Sequence, residues 1–262
     1  MSDWLHNLPV PWMALVVFGF TYLLAAAIHA GVAVLARGER TKRLTAISPG
    51  MLAPLGIIFG LFVAFTAAQV WNDNDRAGAA VSREASALRS VIVLASSFAD
   101  EPETKLRGLI RAYIEEAASV EWPMMARQTA SLKASPRPLA EALQFVLSLT
   151  TTGPGQQIAQ REIASAIEAA LDARRQRIIV SRAEVNLVKW FCLYLQAVCA
   201  LLAIAFVHSD NRLASAVAMG LYATGIAASV LLIAAHDRPF TGQLAVTPEP
   251  LLQIMPDAPT DR

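Results

Sequence analysis

The chain runs to 262 residues, 55% of them hydrophobic and only 16% charged, where ordinary soluble domains hold roughly 45–50% and 25%. That composition excludes a purely water-soluble protein, and a formal net charge of +1 excludes a strong electrostatic attraction to nucleic acid. Length alone leaves room for one domain or two.

Residues 1–10 contain no Lys or Arg, so the basic start of a secretory signal is missing. Pro11–Ala36 is a 26-residue stretch, uncharged but for the titratable His29. It is long enough to span a bilayer with tilt, and Trp4, Trp12 and Tyr22 mark interfacial levels. His29 reads either as a functional intramembrane histidine or as a group that hydrogen-bonds a neighbouring helix or sits near the headgroups. The loop 37–49 is basic, with Arg37, Arg40, Lys42 and Arg43, and Ser48-Pro49-Gly50 punctuates its end.

Met51–Trp71 is 21 residues without a charge, and ten of them are Leu, Ile, Val or Phe. At roughly −0.3 to −0.6 kcal/mol each, the gross insertion tendency is on the order of −3 to −6 kcal/mol. Pro54 falls in the first helical turn, where a missing N–H costs little. Ala53, Ile57 and Leu61 stand at i, i+4 and i+8, one face of a helix, with Gly60 before the last and Trp71-Asn72 closing the span.

Beyond Asn72 the polarity rises while helical periodicity continues through Val81, Ala85, Leu88, Ile92 and Ala95. The second span is therefore expected to run on into water as an amphipathic helix. Asp100 and Glu103 read as cap and capping-box partner of the next helix, whose stripe is Leu106, Ile110, Tyr113 and Ala117 and which ends before Trp122-Pro123. Ser135-Pro136 starts a helix carrying Leu139, Leu143 and Val146, and Gly153-Pro154-Gly155 ends it. A further helix begins near Gln156 and is expected to continue unbroken into the third span.

Trp190–Val207 and Leu213–Ala235 are the third and fourth spans, joined by a tight turn at 208–212. Gly220, Ala223, Gly225 and Ala228 are small enough for close helix contact. Cys192 and Cys199 lie two turns apart, roughly 10 Å, too far to bridge; both read as small core residues. No Cys/His cluster has metal-ligand spacing, and no cofactor is expected. The prolines at 239, 248, 250 and 256 predict an extended tail over 236–262.

The organisation is thus transmembrane helices 1 and 2 over 11–71 with the loop 37–49, a helical domain over 72–188, spans 3 and 4 over 189–235, and the tail. The fold class is an all-α membrane protein, with four transmembrane helices and a helical domain inserted between the second and third spans.

The second span resembles the pore helix of the bestrophin channels: Ala53 directly before Pro54, then Ile57, Gly60, Leu61 and the closing Trp71-Asn72. A buried span with an ordinary apolar stripe is the plainer reading of the same residues. At the C-terminal junction, Asp237-Arg238-Pro239-Phe240, followed by Pro248-Glu249-Pro250, is similar to the mark of bacterial bestrophin-like proteins. The resemblance implies a homo-oligomer, a pentamer by family habit, in which Ala53, Ile57 and Leu61 form three apolar rings of a pore neck that passes small inorganic ions. It also implies a cytosolic helical domain and cytosolic termini in the plasma (inner) membrane. Animal members follow Pro-Phe with an acidic run that binds calcium. Thr241–Val246 holds no acid, so no calcium gating is expected.

Charge counts bear on orientation. The first helix has no Lys or Arg before it and four after it, which alone places the loop inside. Within about 15–20 residues of the spans, however, the domain side carries nine Lys or Arg and the loop side five, which places the domain in the cytosol. Arg76 and Arg83 at the expected entrance give a lean to anions, with Asp73 and Asp75 adjacent. The alternative is a non-conducting scaffold or sensor whose helical domain binds a partner. An enzyme is disfavoured: Glu115, Glu116, Glu121 and Glu141 read as solvated, and no phosphate loop or nucleophile–base set is present.

Overall fold

The computed structural model describes residues 3–36, 49–98, 101–133 and 135–257; the basic residues 37–43, Ser48 and the expected cap Asp100 lie outside them. Among the described residues every regular element is helical. The chain divides into two compact units, Met1–Asn72 with Glu184–Asp237, and Asp73–Ala183 with Arg238–Arg262.

The first unit contains a short α1 (Asp3–His6), α2 (Val10–Leu35), the first part of α3 (Leu52–Ala95), α8 (Leu187–Val207) and α9 (Arg212–His236). All but α1 are long and apolar enough to cross a membrane. α3 opens through a 3-10 turn at Pro49–Met51, with Pro54 in its first turn. Its 44 residues rise about 66 Å, more than twice the roughly 30 Å hydrocarbon layer, so the expected amphipathic continuation is present. α2 and α9 lie side by side: Tyr22 and Thr224 share a hydrogen bond of 2.8 Å, and His29 Nδ1 stands 3.2 Å from Ser215 Oγ. His29 thus takes the interhelical role. Ala223 and Ala227 are buried at this packing. Gly220 and Gly225 have open space where a Cβ would be, and Ala228 is exposed, so the close contact expected of those three is not made among the described residues. Nor are the cysteines core residues: Cys192 is half-buried and Cys199 exposed.

The second unit is built from the rest of α3, α4 (Glu101–Glu116), a π-helical turn (Ala117–Glu121), α5 (Trp122–Ala126), α6 (Arg137–Ser148), α7 (Pro154–Val180) and α10 (Glu249–Leu252). The expected stripes form its core: Val81, Leu88, Leu106, Ile110, Tyr113, Leu139 and Val146 are buried with Ile163 and Ile167 of α7. Glu103 accepts from Arg107 Nε at 2.8 Å, and its expected partner at the cap lies outside the described residues. Three local expectations are corrected. Helix does not stop before Trp122-Pro123, because the wider π turn leads into α5 with Pro123 in its first turn, where proline costs little.

The helix through 156 does not run into the third span. α7 ends at Val180, and α8 starts afresh with Asn186 as its cap, whose side chain accepts from Val188 N at 2.6 Å; such a cap favours a new start over continuation. The tail is not simply extended: α10 forms after Pro248, and Pro250 in its first turn suits a helix start. Phe240 is 3% exposed and meets Trp122 edge-on at 5.7 Å, while Trp122 Nε1 donates to the Val246 carbonyl at 3.0 Å.

Candidate functional site

An α-helix repeats its facing every 3.6 residues, so Ala53, Ile57, Leu61, Ala64 and Ala68 fall on one line of α3. All five are exposed, Ile57 at 62% and Leu61 at 53%. Phe59 and Val70, turned away from that line, are buried among the other spans, as is Ala67 beside it. The hydroxyl of Thr66 is satisfied by the Phe62 carbonyl at 2.8 Å, and Gln69 is engaged by Lys189. Pro54, Gly60, Trp71 and Asn72 are exposed as well. The exposed faces of the neighbouring spans carry bulky Trp12, Leu15, Phe20 and Leu23 on α2, Phe191 on α8, and Leu213 and Leu221 on α9; the α3 line reads Ala, Ile, Leu, Ala, Ala, with exposed Ile58 and Phe65 beside it.

The C-terminal motif is divided between the units. Asp237, 5% exposed, closes the first: its carboxylate accepts from Val185 N at 2.6 Å and lies 3.1 Å from His6 Nε2. It therefore ties both ends of the transmembrane unit to the start of the third span, an anchoring role that spacing alone did not assign. Arg238 is half-buried, Pro239 and Phe240 are buried in the second unit, and Pro248, Glu249 and Pro250 turn the chain into α10. Thr241 Oγ1 donates to the Ala126 carbonyl at 2.8 Å.

The densest polar site of the second unit escaped the sequence reading. Arg177, fully buried, donates from Nε to Glu84 Oε2 at 2.7 Å and from Nη2 to Glu84 Oε1 at 3.0 Å and to Glu121 Oε2 at 2.9 Å. Tyr113 donates to Glu84 at 2.5 Å, and Arg174 pairs with Glu121 from Nε at 2.8 Å. The Arg177 guanidinium also stands over the Trp122 ring at 4.6 Å. Glu121, expected to be solvated, is therefore a partner in a buried network, aimed inward by the π turn that contains it. Burial pulls the Arg177 pKa down, but the Glu84 carboxylate and its hydrogen bond, with Tyr113 and Glu121, more than reverse that, so the guanidinium stays charged. Burial, then the Glu84 charge, raises the Tyr113 phenol well above its ordinary value, against the opposing pull of Arg177. The signal was in the sequence. Glu84 occupies the apolar face between Val81 and Leu88, and Arg174 and Arg177 interrupt the stripe Ile167, Ala170, Ile178.

Four helices fit to cross a membrane, with a helical unit between the second and third, define a multi-pass all-α membrane protein. Residues 18–251 match the family model of the bestrophin-like domain, and the chain belongs to that family. Comparison with curated proteins and with solved structures finds no match.

Proposed function

We propose that the protein is an oligomeric ion channel in which each copy contributes α3 to a common axis, with Ala53, Ile57 and Leu61 as an apolar neck. The observation that carries this is the exposed line of Ala53, Ile57, Leu61, Ala64 and Ala68 on α3, left uncovered among the described residues while Phe59, Ala67 and Val70 of the same helix are buried. Rings of such side chains gate by wetting and dewetting. Family membership points to a channel, and closed symmetry of identical copies, five by family habit, gives the neck its rings. Ion flux from the purified protein in liposomes tests the reading; absence of flux would favour the non-conducting scaffold.

For charge selectivity, Asp75 favours a reading opposed to the anion lean. It stands 18 residues, five full turns, beyond Ile57 and is exposed. Arg76 and Arg83 are turned roughly 80–100° from that line, and Arg83 Nε bonds back to the Ala79 carbonyl at 3.2 Å. A ring of Asp75 carboxylates selects cations. In a salt gradient, Asp75→Arg is expected to move the reversal potential toward the anion value, and no movement removes Asp75 from the ion path.

The charge count favours a cytosolic helical domain. Ser165, exposed on α7, offers the check: as a lone cysteine in intact cells it is expected to escape a membrane-impermeant thiol reagent, and labelling there reverses the orientation.

A further inference from the structure

Beside the C-terminal end of α7 the helical unit opens a cleft of about 480 Å³, lined by Ser131, Leu132, Lys133, Ile178, Ile179 and Arg182. Two of these six are cations and none is an acid. Arg182 donates from Nη2 to the Ala130 carbonyl at 2.5 Å, which fixes its guanidinium at the cleft. Ser131 Oγ accepts from Lys133 N at 3.2 Å, folding the 131–133 segment into a short turn opposite α7. Ile178 is 1% exposed and forms the floor, whereas Leu132 and Ile179 are 47% and 55% exposed. Fixed positive charge beside uncovered aliphatic groups is a composition that water satisfies only in part.

We propose that this cleft binds the headgroup of an anionic phospholipid. The phosphate oxygens lie between Lys133 and Arg182 with the Ser131 hydroxyl as a further donor, and the glycerol and first acyl carbons cover Leu132 and Ile179. A free phosphate matches the cations but leaves both aliphatic side chains wet. A protein surface covers the aliphatic groups but must bring an acid to meet two cations. A phospholipid carries anion and hydrocarbon together. The chain path agrees: Arg182 precedes Leu187, the first residue of the third span, by five residues, so covalent reach holds the two Cα atoms within roughly 18 Å. Basic residues this close in the chain to a span are well placed to meet anionic headgroups.

The test is a titration of the purified full-length protein in neutral detergent, followed by native mass spectrometry, with phosphatidylglycerol, phosphatidylcholine and inorganic phosphate as probes. Phosphatidylglycerol is expected to bind in preference to phosphatidylcholine. At about five-fold per cation, Lys133→Gln with Arg182→Gln is expected to weaken phosphatidylglycerol roughly 25-fold. Because Arg182→Gln also removes the bond to Ala130, Lys133→Gln alone serves as the second variant, with an expected loss of about five-fold. Arg161→Gln, exposed on α7 more than four turns before Ile178, is expected to bind phosphatidylglycerol as the parent does. Equal binding of the two lipids, a loss in the Arg161 control equal to that of Lys133→Gln, or full competition by inorganic phosphate at matched concentration overturns the proposal. A change of subunit number in the Lys133/Arg182 variant also overturns it, in favour of a contact between copies. None of these outcomes depends on whether the protein conducts ions.

Discussion

Arg177→Met and Glu84→Met are each expected to destabilise the helical unit by about 3–5 kcal/mol, because each breaks the charge balance of a dry interior: the first strands Glu84, and the second leaves two guanidiniums on the single Glu121 carboxylate. Arg177 holds two carboxylates, one on α3 and one in the π turn, so its removal strands Glu84 without a cation and leaves Glu121 with Arg174 alone. The double substitution Glu84→Met with Arg177→Met removes both charges and is expected to cost less than the sum of the singles, since an apolar pair of similar volume is often neutral against a buried ion pair. Thermal melting in detergent, with protease sensitivity of the 73–183 segment as a second readout, measures all three. Losses that simply add would show that Glu84 and Arg177 do not act as a pair. The phenol of Tyr113 adds a pH dependence. In the unfolded chain it ionises near its ordinary value, about 10, but in the folded chain it keeps its proton to higher pH. Its contribution is therefore complete below pH 10 and lost as pH climbs above it. Tyr113→Phe is expected to flatten that alkaline loss.

Ile57→Ala and Leu61→Ala are the substitutions expected to change conduction most. In the proposed neck each would remove aliphatic bulk from every copy at once, so one substitution would widen a whole ring and make it easier to wet. Lowering a dewetting barrier by about 1.4 kcal/mol raises passage about tenfold, and a widened ring is expected to do at least that. Leak current from reconstituted protein is the measurement. Both side chains are exposed within the chain, so neither substitution opens a core cavity, and the thermal melt should stay close to the parent. Unchanged conductance in both variants removes the neck assignment. In that proposed neck Ala53, already small, would line the wide ring, and Ala53→Leu is expected to narrow the path.

The spans, the continuation of α3 and the apolar stripes of the helical unit were legible because they rest on period and length. A run such as Met51–Trp71 has few alternatives, and Leu106, Ile110 and Tyr113 cannot all face water. What escaped was set by single residues whose partners are distant in sequence. Asn186 starts α8 where periodicity suggested no break, and Asp237 reaches Val185 N from 52 residues away. Glu121 reads as a surface acid in a straight helix and turns inward only because the preceding turn is wide. Pro123 and Pro250 misled for a common reason. Both sit in a first helical turn, where a proline begins an element rather than ending one. The line of Ala53, Ile57 and Leu61 was legible as one helix face, and its exposure within a single chain is what the structure adds.

The π turn at Ala117–Glu121 accommodates one residue more than a straight helix would over the same rise. Were all five residues kept but rewound as ordinary α-helix, everything after them would rotate by about 100°. Trp122 and Met125 would swing out to water, and the aromatic ring under the guanidinium would leave with them. The wide winding of this short segment, more than the chemistry of Ala118, Ser119 or Val120, therefore fixes which side chains the domain keeps dry.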